Sequence, residues 1–204
     1  MRTLLQIDSS PMGETSISRH LTKEFVRRWF RANPQARVIS RDLTTIPIPV
    51  VDSAWVTANY TPKESRTQQQ NEILRLSTEF TRELLDADEY VMGVPVHNWG
   101  PSASFKLWVD HIVTPSGPKL VQKRATFVIA AGRFYGPGSG NAGKNYAEPW
   151  LRTLFGRLGV EDMRFIIADG AAEVRNGKLS LAAFLAPHLQ AIQALFAEET
   201  AFVT

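Results

Sequence analysis

The sequence contains no cysteine. This absence excludes a disulfide framework, a thiol nucleophile and any metal site with thiolate ligands, and it fits a reducing compartment. An apolar run of the roughly 18 residues that span a bilayer is also absent. The apolar stretch after Arg2 is interrupted by Gln6 and Asp8, which is unlike the layout of a signal peptide. We therefore expect a cytoplasmic protein that does not associate with membranes.

Charge of one sign is not concentrated anywhere in the chain. The formal net charge is only +3, and lysine and arginine form nothing longer than pairs. Because nucleic-acid binding needs a clustered basic face, we expect none. The four histidines are His20, His97, His111 and His188. They lack the spacing of metal ligands, so we predict no metal site and place most of them at the surface or at helix caps.

Short apolar runs typical of strands alternate with longer stretches of helical period. Strands are predicted at residues 2–8, 37–43, 89–95, 124–131 and 162–168, and helices at about 15–32, 67–85, 103–113, 146–158 and 179–202. Residues 44–66 are predicted to be a long connection that shapes a site or an interface. This alternation predicts one domain, 1–204, with a five-stranded parallel sheet in the order 2-1-3-4-5 and helices on both faces. That is a flavodoxin-like three-layer α/β sandwich, which binds ligands at the carboxyl ends of its strands.

A loop rich in hydroxyl groups follows the first predicted strand and opens directly into a helix. Its hydroxyls belong to Ser9, Ser10, Thr15, Ser16 and Ser18. The free N–H groups and the dipole of a helix N-terminus attract a phosphate, and hydroxyls add neutral donors. A helix N-cap alone would need only one hydroxyl. Because this loop after the first strand lacks the glycine signatures of dinucleotide and triphosphate loops, it predicts a site for one monophosphate.

Two further loops follow strands that end at the same edge of the predicted sheet. They contain Pro95, Val96, His97, Asn98 and Trp99 after the third strand, and Ala130, Ala131, Gly132 and Arg133 after the fourth. Asn98 offers a donor and an acceptor to a heterocycle, and Trp99 offers a flat apolar face. The alternatives are a core position for Trp99 and a merely flexible fourth loop. We favour ring binding because both loops lie at the expected ligand edge.

These segments resemble the FMN-dependent NADH:quinone oxidoreductases known as azoreductases, a flavodoxin-like family once described as acyl-carrier-protein phosphodiesterases. The resemblance covers nearly the whole chain. It rests on Ser9-Ser10…Ser16-Ile17-Ser18, Arg41-Asp42-Leu43, Ile48-Pro49, Pro95-Val96-His97-Asn98-Trp99, Leu107…Asp110 and Phe165…Ala168-Asp169-Gly170. The Pro-x-x-Asn-aromatic element is fairly specific when it occurs beside the serine loop.

The resemblance implies FMN as cofactor, NADH or NADPH as electron donor, and a quinone or an aromatic azo compound as acceptor. It places the FMN phosphate at the serine loop, on Ser9, Ser10, Ser16, Ile17 and Ser18, and the isoalloxazine against residues 95–99 and 130–133. It also implies a homodimer whose two active sites lie at the subunit interface. His97 stands where relatives have Tyr, and only Gly132 matches their Ser-Arg-Gly-Gly segment. The stretch 110–124 is shorter than in the family and lacks a loop that lies near the flavin, which places this protein's own specificity there and at His97.

The resemblance also implies a mechanism in two steps. The reduced nicotinamide passes hydride to the flavin and leaves, and the acceptor then takes its place. His97 is the candidate catalytic residue, either as a proton donor or through backbone contact with the flavin alone. The N–H of Gly132 and the Arg133 side chain are candidates to stabilise the negative charge of the reduced flavin.

Two other classes of protein remain as alternatives. One is a flavodoxin-like electron carrier or FMN-binding module without its own turnover. Such carriers often dock their partners through a strongly charged face, which the near-neutral balance here does not indicate. The other is a hydrolase, which the absence of a G-x-S-x-G elbow disfavours.

Overall fold

A twisted parallel sheet organises the chain. The structure is a computed structural model that describes residues 1–114 and 117–201. The strands are β1 Thr3–Asp8, β2 Arg37–Asp42, β3 Glu89–His97, β4 Gly100–Pro101, β5 Arg124–Ala130 and β6 Asp162–Ala168. The helices are α1 Ile17–Ala32, α2 Ser53–Tyr60, α3 Gln68–Ile73, α4 Arg75–Asp86, α5 Ala103–Ile112, α6 Ala147–Arg157, α7 Ala172–Arg175 and α8 Leu181–Ala201, with 3₁₀ turns at Gly13–Thr15 and Lys63–Ser65.

The strand order is β2-β1-β3-β5-β6, and every neighbouring pair on this path is parallel. This confirms the predicted sheet and its order, to which β4 adds a two-residue antiparallel pairing at the end of β3. Asp8 is opposite Asp42 on one side and Gly93 on the other. Pro95 is likewise opposite Ala130. The carboxyl ends of β1, β3 and β5 therefore lie side by side.

Hydrophobic clusters cover both faces of the sheet, because successive strand residues point to opposite sides. On one face the aromatic ring of Phe127 packs against Phe155 of α6 and Phe165 of β6, with ring centroids 4.8 and 5.1 Å away. On the other face, the next residue, Val128, joins a cluster with residues of α1 and α8. The predicted three-layer sandwich is thus confirmed.

The segment between β2 and the end of α4 differs from the long connection and the single helix that were predicted there. Residues 53–60 form α2, whose N-cap Asp52 accepts a hydrogen bond from Trp55 N at 2.8 Å. The helix predicted at 67–85 is divided at Leu74, which is buried against Trp55 and has φ −87° and ψ 2°. Packing against α2 therefore overrides the helical period of the sequence at that residue.

His111 is an exception to the expectation that most of the histidines lie at the surface or at helix caps, because it is only 1% exposed. Its Nδ1 lies 2.8 Å from Ser77 Oγ and its Nε2 lies 2.9 Å from the Pro49 carbonyl oxygen. Trp55 Nε1 donates to Ser77 Oγ at 2.9 Å, so the Ser77 hydroxyl can donate to Nδ1 while Nε2–H donates to Pro49. The imidazole thus ties α5 to α4 and to the preceding connection.

The stretch 110–124, which was expected to be shorter than in the family, begins in the last turn of α5 and runs to the start of β5. Its Leu120 is buried, with its N–H donating to the Leu158 carbonyl at 2.7 Å, and Lys123 Nζ donates to the Ala87 carbonyl at 2.6 Å. Helix α8 begins at Leu181, and the predicted end at residue 202 lies outside the described residues. Within the described part of the chain, no helix has the length and apolarity needed to cross a membrane.

Candidate functional site

A cleft of about 1140 Å³ opens at the carboxyl ends of β1, β3 and β5. It is lined by thirteen of the predicted site residues: Ser10, Ser16, Ile17, Ser18, Pro95, Val96, His97, Asn98, Trp99, Ala130, Ala131, Gly132 and Arg133. The three loops were predicted from separate segments of the chain, and they meet because β1, β3 and β5 are neighbours in the sheet.

The hydroxyl loop forms one end of this cleft. Ser16 is the N-cap of α1, and its Oγ accepts from Arg19 N at 3.3 Å. The capping alternative is therefore correct for Ser16, but it leaves other donors for a ligand. Ser18 Oγ is buried 3.1 Å from Ser16 Oγ, and no described acceptor takes the N–H of Ile17 or Ser18. Together these groups give the positive end of the helix the donors that an anion would need.

Arg19 anchors this loop to the end of β2. Its Nε and Nη2 donate to the Ser10 carbonyl at 3.1 and 2.7 Å, while Nη1 and Nη2 donate to the Asp42 carboxylate at 2.6 and 2.8 Å. Burial alone would raise the pKa of Asp42, but the hydrogen bonds from Arg19 and Thr44 outweigh it and hold the pKa below its ordinary value. The ionised pair therefore keeps Ser10 in place at the cleft wall.

Ser9 does not line the cleft, unlike the other predicted residues. Its hydroxyl is buried and donates to the Gly93 carbonyl at 2.8 Å. Beside it, the Asp8 carboxylate accepts from Thr22 Oγ1 at 2.9 Å and from Gln6 Nε2 at 2.8 Å, and burial raises the pKa of Asp8. The Ser9 hydroxyl therefore joins β1 to β3, and we remove it from the set of proposed ligand donors.

The β3–β4 hairpin forms the middle of the cleft and has a strained turn. Its central residues Asn98 and Trp99 have φ of 49° and 69°, as in a type I′ turn. Asn tolerates this conformation, but a bulky residue such as Trp99 adopts it at a cost of about 1–2 kcal/mol. Trp99 is 50% exposed, so the alternative of a core position is wrong. The turn instead holds the indole at the cleft, where strain often marks a functional position.

The loop after β5 is braced by the loop after β6. Main-chain N–H groups of Gly170, Ala171 and Ala172 donate to the carbonyls of Arg133, Ala131 and Gly132 at 3.1, 2.9 and 3.0 Å. The Gly132 N–H itself has no acceptor among the residues that the structure describes. A rigid loop with an open backbone donor therefore borders the cleft opposite the hairpin.

Residues that sequence reasoning missed also line the cleft: Met12, Glu14, His20, Tyr135, Asn141, Ala171, Val174, Arg175 and Leu181. The last strand carries the signal for some of them, because β6 also ends at this edge and α7 follows directly. No described residue of the stretch 110–124 lines the cleft. In residues 1–114 and 117–201, no group of three His, Asp or Glu side chains is placed to hold a metal ion.

The fold and the cleft define a class of protein: a flavodoxin-type α/β domain with an anion site and a flat apolar site at one sheet edge. A family model described as having a flavodoxin-like fold matches residues 2–192. FMN-dependent NADH:quinone oxidoreductase 3 of Burkholderia lata is 63% identical, and the match covers 97% of this chain and 100% of that protein. The FMN-dependent NADH:quinone oxidoreductase of Acidobacterium capsulatum is 44% identical over 95% of this chain and 98% of its own. The chain belongs to this family, which confirms the resemblance seen in the sequence.

Solved structures agree on the fold. An FMN-dependent NADH-azoreductase from Bacillus anthracis, solved in complex with FMN, superposes with a TM-score of 0.82 at 18% identity. The superposition covers 97% of this chain and 99% of that one. A sequence identity this low supports a shared fold only.

Because the backbone at Trp99 is strained, replacing Trp99 with glycine should stabilise the protein. We expect Trp99→Gly to raise the free energy of unfolding by about 1 kcal/mol, because glycine adopts positive φ freely. Chemical denaturation of the ligand-free protein measures this. Trp99→Ala is the matched control, since it removes the ring but keeps the strain. If Trp99→Gly is no more stable than Trp99→Ala, the turn is not strained.

Proposed function

We propose that this chain is an enzyme that binds FMN in the cleft and uses NADH or NADPH to reduce quinones, aromatic azo compounds or both. The observation that carries the proposal is the meeting of the hydroxyl loop and the two ring-binding loops in one cavity. The names of its relatives support the quinone reaction. The azo reaction is supported by the names of structural neighbours.

The residues of the cleft fit FMN. At one end, the hydroxyls of Ser10 and Ser18 and the N-terminus of α1 match a monophosphate. At the other, Val96 and Trp99 offer apolar surface to the isoalloxazine, and the Gly132 N–H offers a donor to its polar edge. The volume, about 1140 Å³, exceeds the roughly 300–1000 Å³ of a single-ligand pocket, which leaves room for a second flat molecule.

The reaction depends more on the orientation of the reacting rings than on an acid or a base supplied by the protein. When bound, FMN supplies a ring that accepts and returns two electrons. The donor loses a hydride and becomes NAD(P)⁺, and the quinone gains two electrons and two protons, one of them from solvent, to become a hydroquinone. Cleavage of an azo bond to two amines consumes two donor molecules, because it takes four electrons and four protons. The hairpin at β3 and the loop after β5 would hold the reacting rings face to face.

An electron carrier without turnover is the alternative within the same fold. The room beside the proposed position of the flavin ring, which a carrier does not need, favours an enzyme. Such carriers often dock through a strongly charged face, which the net charge of +3 does not indicate. Turnover by the purified protein alone separates the two functions.

Ser16→Asp tests the phosphate site and the function together. Aspartate caps a helix as well as serine does, so α1 should keep its stability, but the new charge repels the phosphate. We expect FMN affinity to fall about tenfold or more. The wild type should be purified yellow or take up added FMN, and it should oxidise NADH with menadione as acceptor. Flavin fluorescence measures binding, and thermal denaturation measures stability.

Thr67→Asp is the matched control for this experiment. Thr67 caps α3 in the same way, through a hydrogen bond from Gln70 N at 3.2 Å, but it does not line the cleft. Full FMN affinity in Ser16→Asp would remove the phosphate from this loop. Wild-type protein that binds no FMN would overturn the proposed function as a whole.

His97 is proposed as the proton donor to the reduced acceptor. Its side chain is exposed and lines the cleft, and histidine readily exchanges protons near neutral pH. We expect His97→Phe to change the pH dependence of kcat/KM for menadione, because the variant cannot donate a proton. Stopped-flow rates of acceptor reduction at several pH values measure this. An unchanged profile would leave His97 only a backbone contact with the flavin.

We further propose that the chain is a single FMN-binding domain that acts as a homodimer in the cytoplasm. Trp99, Phe134 and Tyr146 are aromatic residues on or beside the loops of the cleft, and each is at least half exposed. Exposed aromatic clusters often mark protein interfaces. The absence of cysteine supports a reducing compartment.

Sedimentation velocity should give twice the mass of one chain. We expect Tyr146→Glu to shift the protein towards the monomer, because a charge would be buried in the interface. Phe30→Glu is the control, since Phe30 is similarly exposed but lies near the far end of α1 from the cleft. A wild-type monomer at micromolar concentration would contradict the proposal.

A further inference from the structure

A smaller pocket of about 470 Å³ adjoins the cleft. Four residues line both cavities: Gly132, Arg133, Asn141 and Arg175. The two cavities therefore adjoin at these residues, beside the loop proposed to border the flavin ring. We call these four residues the junction.

The junction is positively charged. No hydrogen bond or ion pair joins the Arg133 or Arg175 side chain to any other described residue. A Cβ built on Gly132 would lie 3.1 Å from Arg175 Nη2, so the Arg175 guanidinium rests against the Gly132 backbone. Glu173 also lines the smaller pocket, but Lys178 Nζ lies 3.4 Å from its carboxylate. Two guanidinium groups are therefore left to meet an anion.

The two guanidinium groups are carried by loops that hold each other in place. Gly170 N donates to the Arg133 carbonyl at 3.1 Å, and Ala172 N donates to the Gly132 carbonyl at 3.0 Å. Arg175 follows at the end of α7. The backbones that carry both arginines are thus braced before any ligand binds, which lowers the entropy lost on binding.

We propose that the junction binds the pyrophosphate of the dinucleotide donor, with its adenosine half in the smaller pocket. This inference rests on the proposed function, because it assumes that the nicotinamide stacks on a flavin held in the cleft. The N-terminus of α1 is then occupied by the FMN phosphate, so the pyrophosphate needs a second anion site. Arg133 and Arg175 supply one at the junction, because arginine binds phosphate oxygens with two parallel hydrogen bonds.

Binding of ADP-ribose to the oxidised, FMN-loaded protein tests the site without turnover. ADP-ribose has the pyrophosphate and the adenosine but no nicotinamide. Isothermal titration calorimetry should show affinity falling about tenfold in Arg175→Gln, with about 1.4 kcal/mol lost. Arg175→Lys should recover part of it, and Arg133→Gln combined with Arg175→Gln should lose more than either alone. Arg82→Gln, an exposed arginine on α4 that lines neither cavity, should bind as the wild type does.

A comparison of two hydride donors separates this role from an effect on the flavin. 1-Benzyl-1,4-dihydronicotinamide transfers hydride like NADH but has no phosphate. With menadione as acceptor, the ratio of kcat/KM for NADH to that for the benzyl donor should fall about tenfold in Arg175→Gln. A fall of equal size for both donors would mean that Arg175 acts on the flavin or the nicotinamide, and would overturn the inference.

The outcomes also separate this inference from the proposed function. Wild-type protein that holds FMN and oxidises NADH, with Arg175→Gln binding ADP-ribose as tightly as the wild type, would overturn the pyrophosphate site alone. Wild-type protein that holds no FMN and oxidises neither donor would overturn the proposed function.

Discussion

Asp8 and Gly93 lie opposite each other in β1 and β3, and the cleft depends on the close packing of the sheet against α1 at this point. A Cβ on Gly93 would lie only 2.7 Å from Asp8 Oδ1 and 3.2 Å from Thr22 Cγ2, so a side chain at this position would displace the Asp8 carboxylate and crowd α1. The Ser9 hydroxyl also joins β1 to β3 here, by donating to the Gly93 carbonyl. With the strand ends held at this spacing, the hydroxyl loop and the hairpin share one cavity.

The walls of the cleft are held rigid by different means. Arg19 and Asp42 form a charged anchor behind the hydroxyl loop, and main-chain hydrogen bonds join the loops after β5 and β6. The hairpin instead carries backbone strain at Trp99. Such strain persists only where the surrounding structure compensates for it, as the hydrogen bond from Tyr146 N to the Trp99 carbonyl does here. A prearranged cleft suits flavin chemistry, in which the protein mainly orients two rings.

Much of the site could be predicted from sequence because its residues follow strands. Ser10, His97 and Gly132 were placed at one edge by the rule that parallel strands end together. Ser9 was misplaced because the rule does not say which hydroxyl a neighbouring strand will use. Arg175 was missed because it is seven residues beyond the end of β6, and only α7 returns it to Gly132. His111 was misjudged because its partners, Ser77 and Pro49, are distant in the chain.

The sequence by itself determined the class of fold, the strand order and the hydroxyl-rich composition of the loop after the first strand, because apolar period and local turn chemistry depend on near neighbours. Tertiary structure alone decided which polar groups remain available to a ligand. The Ser9 hydroxyl donates to the Gly93 carbonyl of β3, whereas the Gly132 N–H and the Arg175 guanidinium remain available at the cleft. The physical reason is that a donor is free or satisfied according to what lies within about 3 Å of it, and distant segments of the chain supply those partners.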